Sequence, residues 1–532
     1  RHGAPSCVEN SCKTLHTKEL SAGETWGGIN SKMKKSKLLQ PFISGRYLQQ
    51  AAAANVVAPK HTLINPTNAI PHNYQYHPTT SSQIQQALDC AKHAQHSWAS
   101  TSPSHRASIL RNAAQIMSQN VEELSEMETS DTGRVIRETR YDIGEGIECL
   151  NYYAGVGNSL GGNAYNLPGG SGANLAYTLR EPLGVTVGIG AWNYPLQSAL
   201  WKTAPSLAFG NSMIFKPSEY TPSTALWLAK CYHEAGLPAG VFQVVLGGKE
   251  VGEELVKSNA VSKVSFTGSL ETGKKVYEMA SRDMKNVTME LGGKSPLIIF
   301  DDANMDNAVS AALMGNFYSN GQVCSNGTRV FVHESIVEEF VQRLVERTKK
   351  MRIGDPMDMN SDIGPMAHED QYNKVLQYVD IGIKEGATLL HGGTRVDNLP
   401  DHLKDGYFLS PAIFTNCTDD MKIVKEEVFG MVMSILPFSD EDEVISRAND
   451  TNFGLAAGVF TQNIQRGHRM VQRLNAGVTW INNYNLAPVQ LPWGGYKHSG
   501  IGRENGVGGV ESWTQLKSVY VEMGDVECDY PK

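Results

Sequence analysis

The chain predicts an α/β fold built from two parallel sheets, each covered by helices on both faces. Three observations predict it. At 532 residues the chain is too long for a single hydrophobic core. Between Val185 and Phe266 short apolar runs alternate with helical stretches, the pattern of a buried parallel sheet. After Pro296 the same alternation starts afresh, so a second α/β domain is expected from about residue 289.

The elements follow in order. Residues 1–32 are polar and aperiodic, and the stretch is expected to be a disordered extension or a translation artefact. It has no apolar core for a secretory signal, and Glu9, Glu19 and Glu24 do not suit a transit peptide. Ser82 to Gly133 is helical by pattern, with Ile84, Leu88, Trp98, Ile109, Leu110, Ile116, Met117 and Leu124 at helical spacing. Asn151 to Gly172 is rich in Gly, Asn and Tyr, and Leu175 to Arg180 alternates; together they read as a hairpin or protruding arm. Strands are expected at Val185–Ile189, Met213–Phe215, Val241–Leu246 and Lys263–Phe266, with helices at Thr224–Ala235 and Val251–Lys257. In the second domain, strands Leu297–Phe300 and Arg329–Val332 accompany helices Asp306–Asn316 and Ile336–Met351. Leu516 to Met523 alternates and reads as a late strand.

Bulk properties exclude several classes of partner. The net charge of −8 argues against nucleic acid or an anionic membrane. No apolar run reaches the ~18 residues that span a bilayer. The 8 cysteines are scattered, which fits a reducing compartment, the cytoplasm, rather than a disulfide framework. There is no CxxC pair and no HExxH, so no metal site is expected.

The chemistry concentrates on a few motifs. Cys324 lies between Gly321 and Gly327, where backbone can approach a ligand closely. Glu290 precedes Gly292 and Gly293, and the two side chains make a candidate nucleophile and base. Asn193, after the strand Val185–Ile189, is either a neutral oxyanion donor or a turn residue. Lys216 and Glu219 follow the next strand, where α/β sheets bind ligands. A glutamate there accepts both hydroxyls of a ribose and repels a phosphate on it, favouring NAD over NADP. Two near-misses to a phosphate loop occur. Gly268 to Lys274 is followed by Lys275 instead of Ser or Thr, and Gly293-Lys294-Ser295 has Thr288 where the first glycine belongs. The turn at Gly268 and Ser269 is equally well a pyrophosphate site at a helix start or an ordinary turn.

Six ordered motifs then resemble the aldehyde dehydrogenase superfamily over roughly residues 40 to 528. They are Ala191-Trp192-Asn193-Tyr194-Pro195, Lys216-Pro217-Ser218-Glu219, Phe266-Thr267-Gly268-Ser269, Glu290-Leu291-Gly292-Gly293-Lys294, Gly321-Gln322-Val323-Cys324 and Glu426-Glu427-Val428-Phe429-Gly430. Cys324 to Val332, Ile481 to Asn485 and Val521 to Glu527 resemble the trimethylaminobutyraldehyde and betaine-aldehyde branch. The resemblance implies a Rossmann-like NAD-binding domain (37–160 and 181–288), an α/β catalytic domain (289–509) and a small β oligomerisation domain (161–180 and 510–532) serving a homotetramer. Residues 1–36 stay outside it. It implies Cys324 as nucleophile, Glu290 as general base, Asn193 as oxyanion donor and Glu504 as a proton relay. Trp192, Lys216, Glu219, Gly268, Ser269, Leu291, Glu427 and Phe429 are implied to hold NAD. Met431 follows Gly430 where the family usually has Pro, which is expected to loosen the nicotinamide side.

For substrate, the resemblance implies a cationic aminoaldehyde such as trimethylaminobutyraldehyde, betaine aldehyde or aminobutyraldehyde. Tyr194, Trp201, Tyr318 and Trp493 resemble an aromatic cage, which holds a quaternary ammonium without a hydrated counter-ion. Tyr318 stands where plant relatives often carry Trp. Asp142 and Glu145 fall on acidic positions at the tunnel mouth, one helical turn apart. The alternatives are a broad aliphatic aldehyde dehydrogenase, whose tunnel would use the same aromatics as apolar lining, and a non-enzymatic structural relative.

Overall fold

A computed structural model describes residues 37–48, 60–167, 174–524, 526 and 528–531. The disorder expected over 1–36 lies outside them. Two large sheets dominate. The first has eight strands, in the order Gly500–Ile501, Asn286–Glu290, Lys263–Thr267, Val185–Ile189, Ser212–Lys216, Phe242–Val244, Phe42–Ile43, Arg46–Tyr47. Its five central strands are parallel, and the three pairings outside them are antiparallel. The apolar run of Val185–Ile189 is buried along its whole length because helices cover both faces. Val187, Ile214 and Val264 are fully buried between Leu88, Leu255 and Val276. Each such side chain stabilises the sheet by about 1.5–3 kcal/mol.

The chain runs from Val185–Ile189 outward through Ser212–Lys216 and Phe242–Val244. It then returns to place Lys263–Thr267 and Asn286–Glu290 on the other side. The loops after Val185–Ile189 and Lys263–Thr267 therefore diverge, opening a crevice at the carboxyl ends of the strands. Lys216, Ile189, Phe266 and Glu290 lie along that edge, by the pairings Ile189 with Lys216, Ile189 with Phe266 and Thr267 with Glu290.

The second sheet has seven strands, in the order Thr388–His391, Ala412–Thr415, Val432–Phe438, Arg329–His333, Pro296–Ile299, Ala456–Phe460, Val478–Ile481, all parallel except the first. The division placed at 288 and 289 falls inside the strand Asn286–Glu290, which pairs within the first sheet. Gly500–Ile501 joins that sheet too.

The arm is a correction in extent. Asn151 to Ser159 belongs to the long helix Ile136–Ser159, whose core face carries Leu150, Tyr153 and Ala154. Only Ala164–Leu167 and Asn174–Pro182 form the hairpin, and Thr514–Val521 adds a third antiparallel strand to it. The helical stretch from Ser82 divides into Ser81–Ala99, Pro103–Gln119 and Val121–Thr132. Pro103 follows the N-cap Ser102, and Thr80 caps the first helix reciprocally with Gln83. A small sheet of Lys37–Leu39, Ile70–Tyr76 and His61–Asn65 was not expected. Among the described residues no helix is long and apolar enough to cross a membrane, and no cluster of His, Cys, Asp and Glu is arranged to hold a metal.

Candidate active site

Two cavities meet at Cys324. One, of about 440 Å³, runs over the carboxyl edge of the first sheet. The other, of about 470 Å³, is walled by the helix Ile136–Ser159 and the segment after Tyr484. Ala191, Asn193, Thr267, Glu290 and Cys324 line both.

The loop that presents Cys324 is held against its own preferences. The helix Met305–Phe317 ends in a turn where Ser319, Asn320 and Gly321 take positive φ (53°, 56° and 73°). Asn and Gly tolerate this region; Ser does so at a cost of about 1–3 kcal/mol. A buried network holds the turn. Asn320 Nδ2 donates to the carbonyls of Gly133 (3.2 Å) and Pro365 (2.7 Å), and its Oδ1 accepts from Gly364 N (2.9 Å). Ser319 N donates to Glu138 (3.0 Å), and Ser319 Oγ accepts from Arg134 Nε (2.9 Å). At Gly321 a Cβ would overlap the backbone of Gly430 and Met431, so only glycine fits.

Asn193 Nδ2 donates to the Gln322 carbonyl at 2.8 Å, which ties it to the Cys324 loop and leaves a second amide proton for a ligand. Burial, then the Glu290 and Glu427 carboxylates, push the Cys324 thiol up to about 12, against the pull of the Cys324 and Ser325 amides. Glu290 is buried, and neither carboxylate oxygen has a hydrogen-bond partner among the described residues. Burial and the neighbouring Glu504 hold its carboxyl well above the usual range, while Lys202 and Arg503 pull it down. Glu504 sits behind it, bonded to Lys202 Nζ (2.5 Å) and Ser265 Oγ (3.0 Å).

The first cavity collects the residues expected around a dinucleotide: Trp192, Lys216, Glu219, Gly268, Ser269, Leu291, Glu427 and Phe429 all line it. Ser269 Oγ accepts from Thr272 N (3.4 Å), capping the helix Leu270–Ser281, whose first turn lines the cavity through Ser269 and Thr272. Lys216 Nζ is held by the carbonyls of Pro217 and Gly247, both at 2.8 Å. Glu219, half-exposed toward the cavity and 4.0 Å from Lys216 Nζ, offers a carboxylate to a ribose diol. Glu427 accepts from Gly293 N at 3.1 Å. Phe429 has φ 61°, and the turn around it is pinned by Gln371 Nε2, which donates to the carbonyls of Val428 and Phe429 (2.9 and 2.8 Å). Met431 is buried in the second core, and its carbonyl accepts from Ala412 N. The other near-miss, Lys294, is fully buried and donates to the Ile423 carbonyl; it faces no phosphate.

The second cavity collects Tyr194, Trp201, Tyr318, Trp493, Asp142, Glu145 and Glu504. Trp201 and Trp493 meet edge to face, their centroids 5.7 Å apart. Asp142 lines this cavity beside Glu145. It is buried in an ion pair with Arg134, so its charge is compensated inside the wall. Arg134 also lies over the Tyr194 ring, 3.9 Å from its centroid. Glu145 is the half-exposed acid of the pair. Sequence reasoning missed Glu138, which lies on the same wall four residues before Asp142; helical spacing alone would have found it. Lys202 and Arg134 had no such signal, because Lys202 meets Glu504 across 302 positions and Arg134 meets Ser319 across 185.

Comparisons with known proteins agree with this geometry. The aldehyde dehydrogenase family model matches residues 57–519. A betaine aldehyde dehydrogenase of Brucella anthropi is 54% identical over 85% of this chain and 92% of its own length. One from Mesorhizobium japonicum is 49% identical over 94% of this chain and 100% of its own. Among solved structures, a Staphylococcus aureus betaine aldehyde dehydrogenase in complex with NAD+ superposes with TM-score 0.88 at 37% identity, covering 92% of this chain and 96% of that one. An NAD-dependent aldehyde dehydrogenase from Sinorhizobium meliloti gives 0.89 at 34% identity, covering 93% and 97%.

Proposed function

The chain belongs to the aldehyde dehydrogenase family, and we propose that it oxidises a cationic aminoaldehyde, betaine aldehyde foremost, to the carboxylic acid with NAD as hydride acceptor. The observation that carries this is the meeting of the two cavities at one thiol. A dinucleotide-sized cleft and an aromatic-walled tunnel reach Cys324 from opposite sides, with Asn193 and Glu290 at the junction. The first cleft fits NAD: a helix start for the pyrophosphate, and Glu219 and Glu427 as carboxylates for the two riboses. NAD bound there supplies the hydride acceptor. The names borne by the relatives above support the same cofactor and substrate class. We further assign the first sheet with its helices to NAD binding, the second sheet with its helices to catalysis, and the hairpin with Thr514–Val521 to assembly as a homotetramer. A cytoplasmic location keeps Cys324 reduced. Trimethylaminobutyraldehyde remains a candidate substrate, which would tie the enzyme to carnitine formation.

The protein's own groups divide the work. Cys324 Sγ adds to the aldehyde carbon once its proton has gone to Glu290 or solvent. Asn193 Nδ2 and the Cys324 amide stabilise the oxyanion, about 3 kcal/mol for one such donor. Loss of hydride from the thiohemiacetal carbon leaves a thioester on Cys324. Glu290 then takes a proton from the water that attacks the thioester, releasing the acid and the thiol. Glu504, ion-paired with Lys202 behind Glu290, receives that proton.

Two variants test the roles together. Cys324→Ala is expected to abolish NADH formation by purified protein. Glu290→Gln is expected to keep a stopped-flow burst of NADH and slow the turnover that follows. Undiminished turnover in the first removes Cys324 from the mechanism; loss of the burst in the second, rather than of the steady state, removes Glu290 from hydrolysis.

A further inference from the structure

Two rings at the cofactor cleft belong to no role assigned so far. Tyr220 lies in the loop between the strand Ser212–Lys216 and the helix Ser223–Glu234, and it lines the cleft on the side of Glu219. His368 caps the helix Glu369–Lys384 on the second sheet, its Nδ1 accepting from Gln371 N at 3.3 Å. The rings stack across the gap between the two sheets, with centroids 4.1 Å apart and planes 4° from parallel. Trp192 meets the edge of His368 at 4.9 Å and Phe429 at 5.2 Å. Tyr220 Oη also reaches Asp370 at 3.4 Å. Burial pushes His368 down to about 4, so its ring is neutral near pH 7, and Nε2 has no hydrogen-bond partner among the described residues. The ring therefore acts here as a flat surface.

The helix behind His368 gives this stack its leverage. Three residues into it, Gln371 pins the Val428 and Phe429 carbonyls. One turn later, Lys374 Nζ donates to the Glu427 carbonyl at 3.0 Å. The helix start thus grips the turn at one end of the cleft while His368 grips the loop at the other. Resting on the dinucleotide reading above, we infer that the Tyr220–His368 stack is a clasp between the two sheets that holds the cleft closed on NAD(H) and slows its release. His368 and Tyr220 are positioning residues; neither touches the reacting atoms.

The test separates the stack from the helix cap. His368→Ser keeps a capping oxygen and removes the ring; His368→Phe keeps a ring and removes the cap. NADH release is read by stopped-flow displacement of bound NADH with excess NAD, using its fluorescence. An aromatic pair contributes enough for about a three- to tenfold faster release in His368→Ser and in Tyr220→Ala. His368→Phe is expected to stay near wild type. The double variant Tyr220→Ala with His368→Ser is expected to release no faster than the quicker single, because one contact is lost once. Unchanged release in both singles, faster release in His368→Phe than in His368→Ser, or singles that multiply in the double would each overturn the clasp. Wild-type protein that binds no NADH would instead overturn the dinucleotide reading beneath it.

Discussion

Cys324 and Glu290 are both buried groups whose charged forms the site disfavours, and both must lose protons to act. The thiol is pushed up by burial and by two carboxylates, and Glu290 is pushed up by burial and by Glu504. A base held above its usual range is protonated at low pH, so hydrolysis is expected to rise with pH through the Glu290 pKa. Glu504→Gln removes an anion that raises that pKa and leaves Lys202 uncompensated, and both effects lower it. The acid limb of the kcat profile should therefore move to lower pH, at reduced kcat. A limb that stays in place or moves up contradicts the coupling. At this scale sequence motifs were informative: Cys324, Glu290 and Asn193 do converge, Glu290 at the end of a strand and the other two on loops that line the same junction. The partner of Asp142 was not legible, because Arg134 lies in the preceding helix-to-helix turn, where no spacing rule links a guanidinium to an acid eight residues on.

Among the elements, the turn Tyr318–Gly321 matters most, since it aims Cys324. Its positive-φ run was not legible, because Ser319 is a poor residue for that region and buried contacts to Arg134, Glu138 and Tyr194 hold it there. Gly321→Ala would combine an unfavourable φ with backbone overlap. We expect a loss of about 2–4 kcal/mol, read as a lower Tm, together with slower alkylation of Cys324 as its loop shifts. An unchanged Tm would show that the turn relaxes at no cost. Strands with strong apolar runs were legible to within about two residues, as at Val185–Ile189 and Lys263–Thr267. The extent of the arm was not, since Gly155, Gly157 and the tyrosines before them look like loop yet pack inside a long helix; there a Cβ at Gly157 would crowd Ala208.

For the whole molecule, the alternation of strands and helices revealed two sheets but not where the chain crosses between them. Asn286–Glu290 and Gly500–Ile501 complete the first sheet from segments flanking the second, and short pairings of that kind leave little mark in a pattern of residues. The three-stranded sheet exposes Leu175, Leu179, Leu516 and Tyr520, more apolar surface than an isolated flap can keep in water. Truncation before Thr514 is expected to reduce the sedimentation coefficient of the purified protein by breaking the assembly. Identical sedimentation of the two forms would exclude this sheet as the contact.

The preference for a cation is the claim on which the substrate assignment stands. Betaine aldehyde has a neutral isostere, tert-butylacetaldehyde, of nearly the same shape, so the two differ chiefly in charge. Initial rates of NADH formation, compared at equal free-aldehyde concentration, isolate what Trp201, Trp493, Tyr318 and Glu145 contribute. One desolvated ring contact of about 2 kcal/mol predicts a kcat/KM at least about tenfold higher for betaine aldehyde. Equal values, or a higher value for the neutral aldehyde, would contradict a cation site and leave an aliphatic aldehyde dehydrogenase.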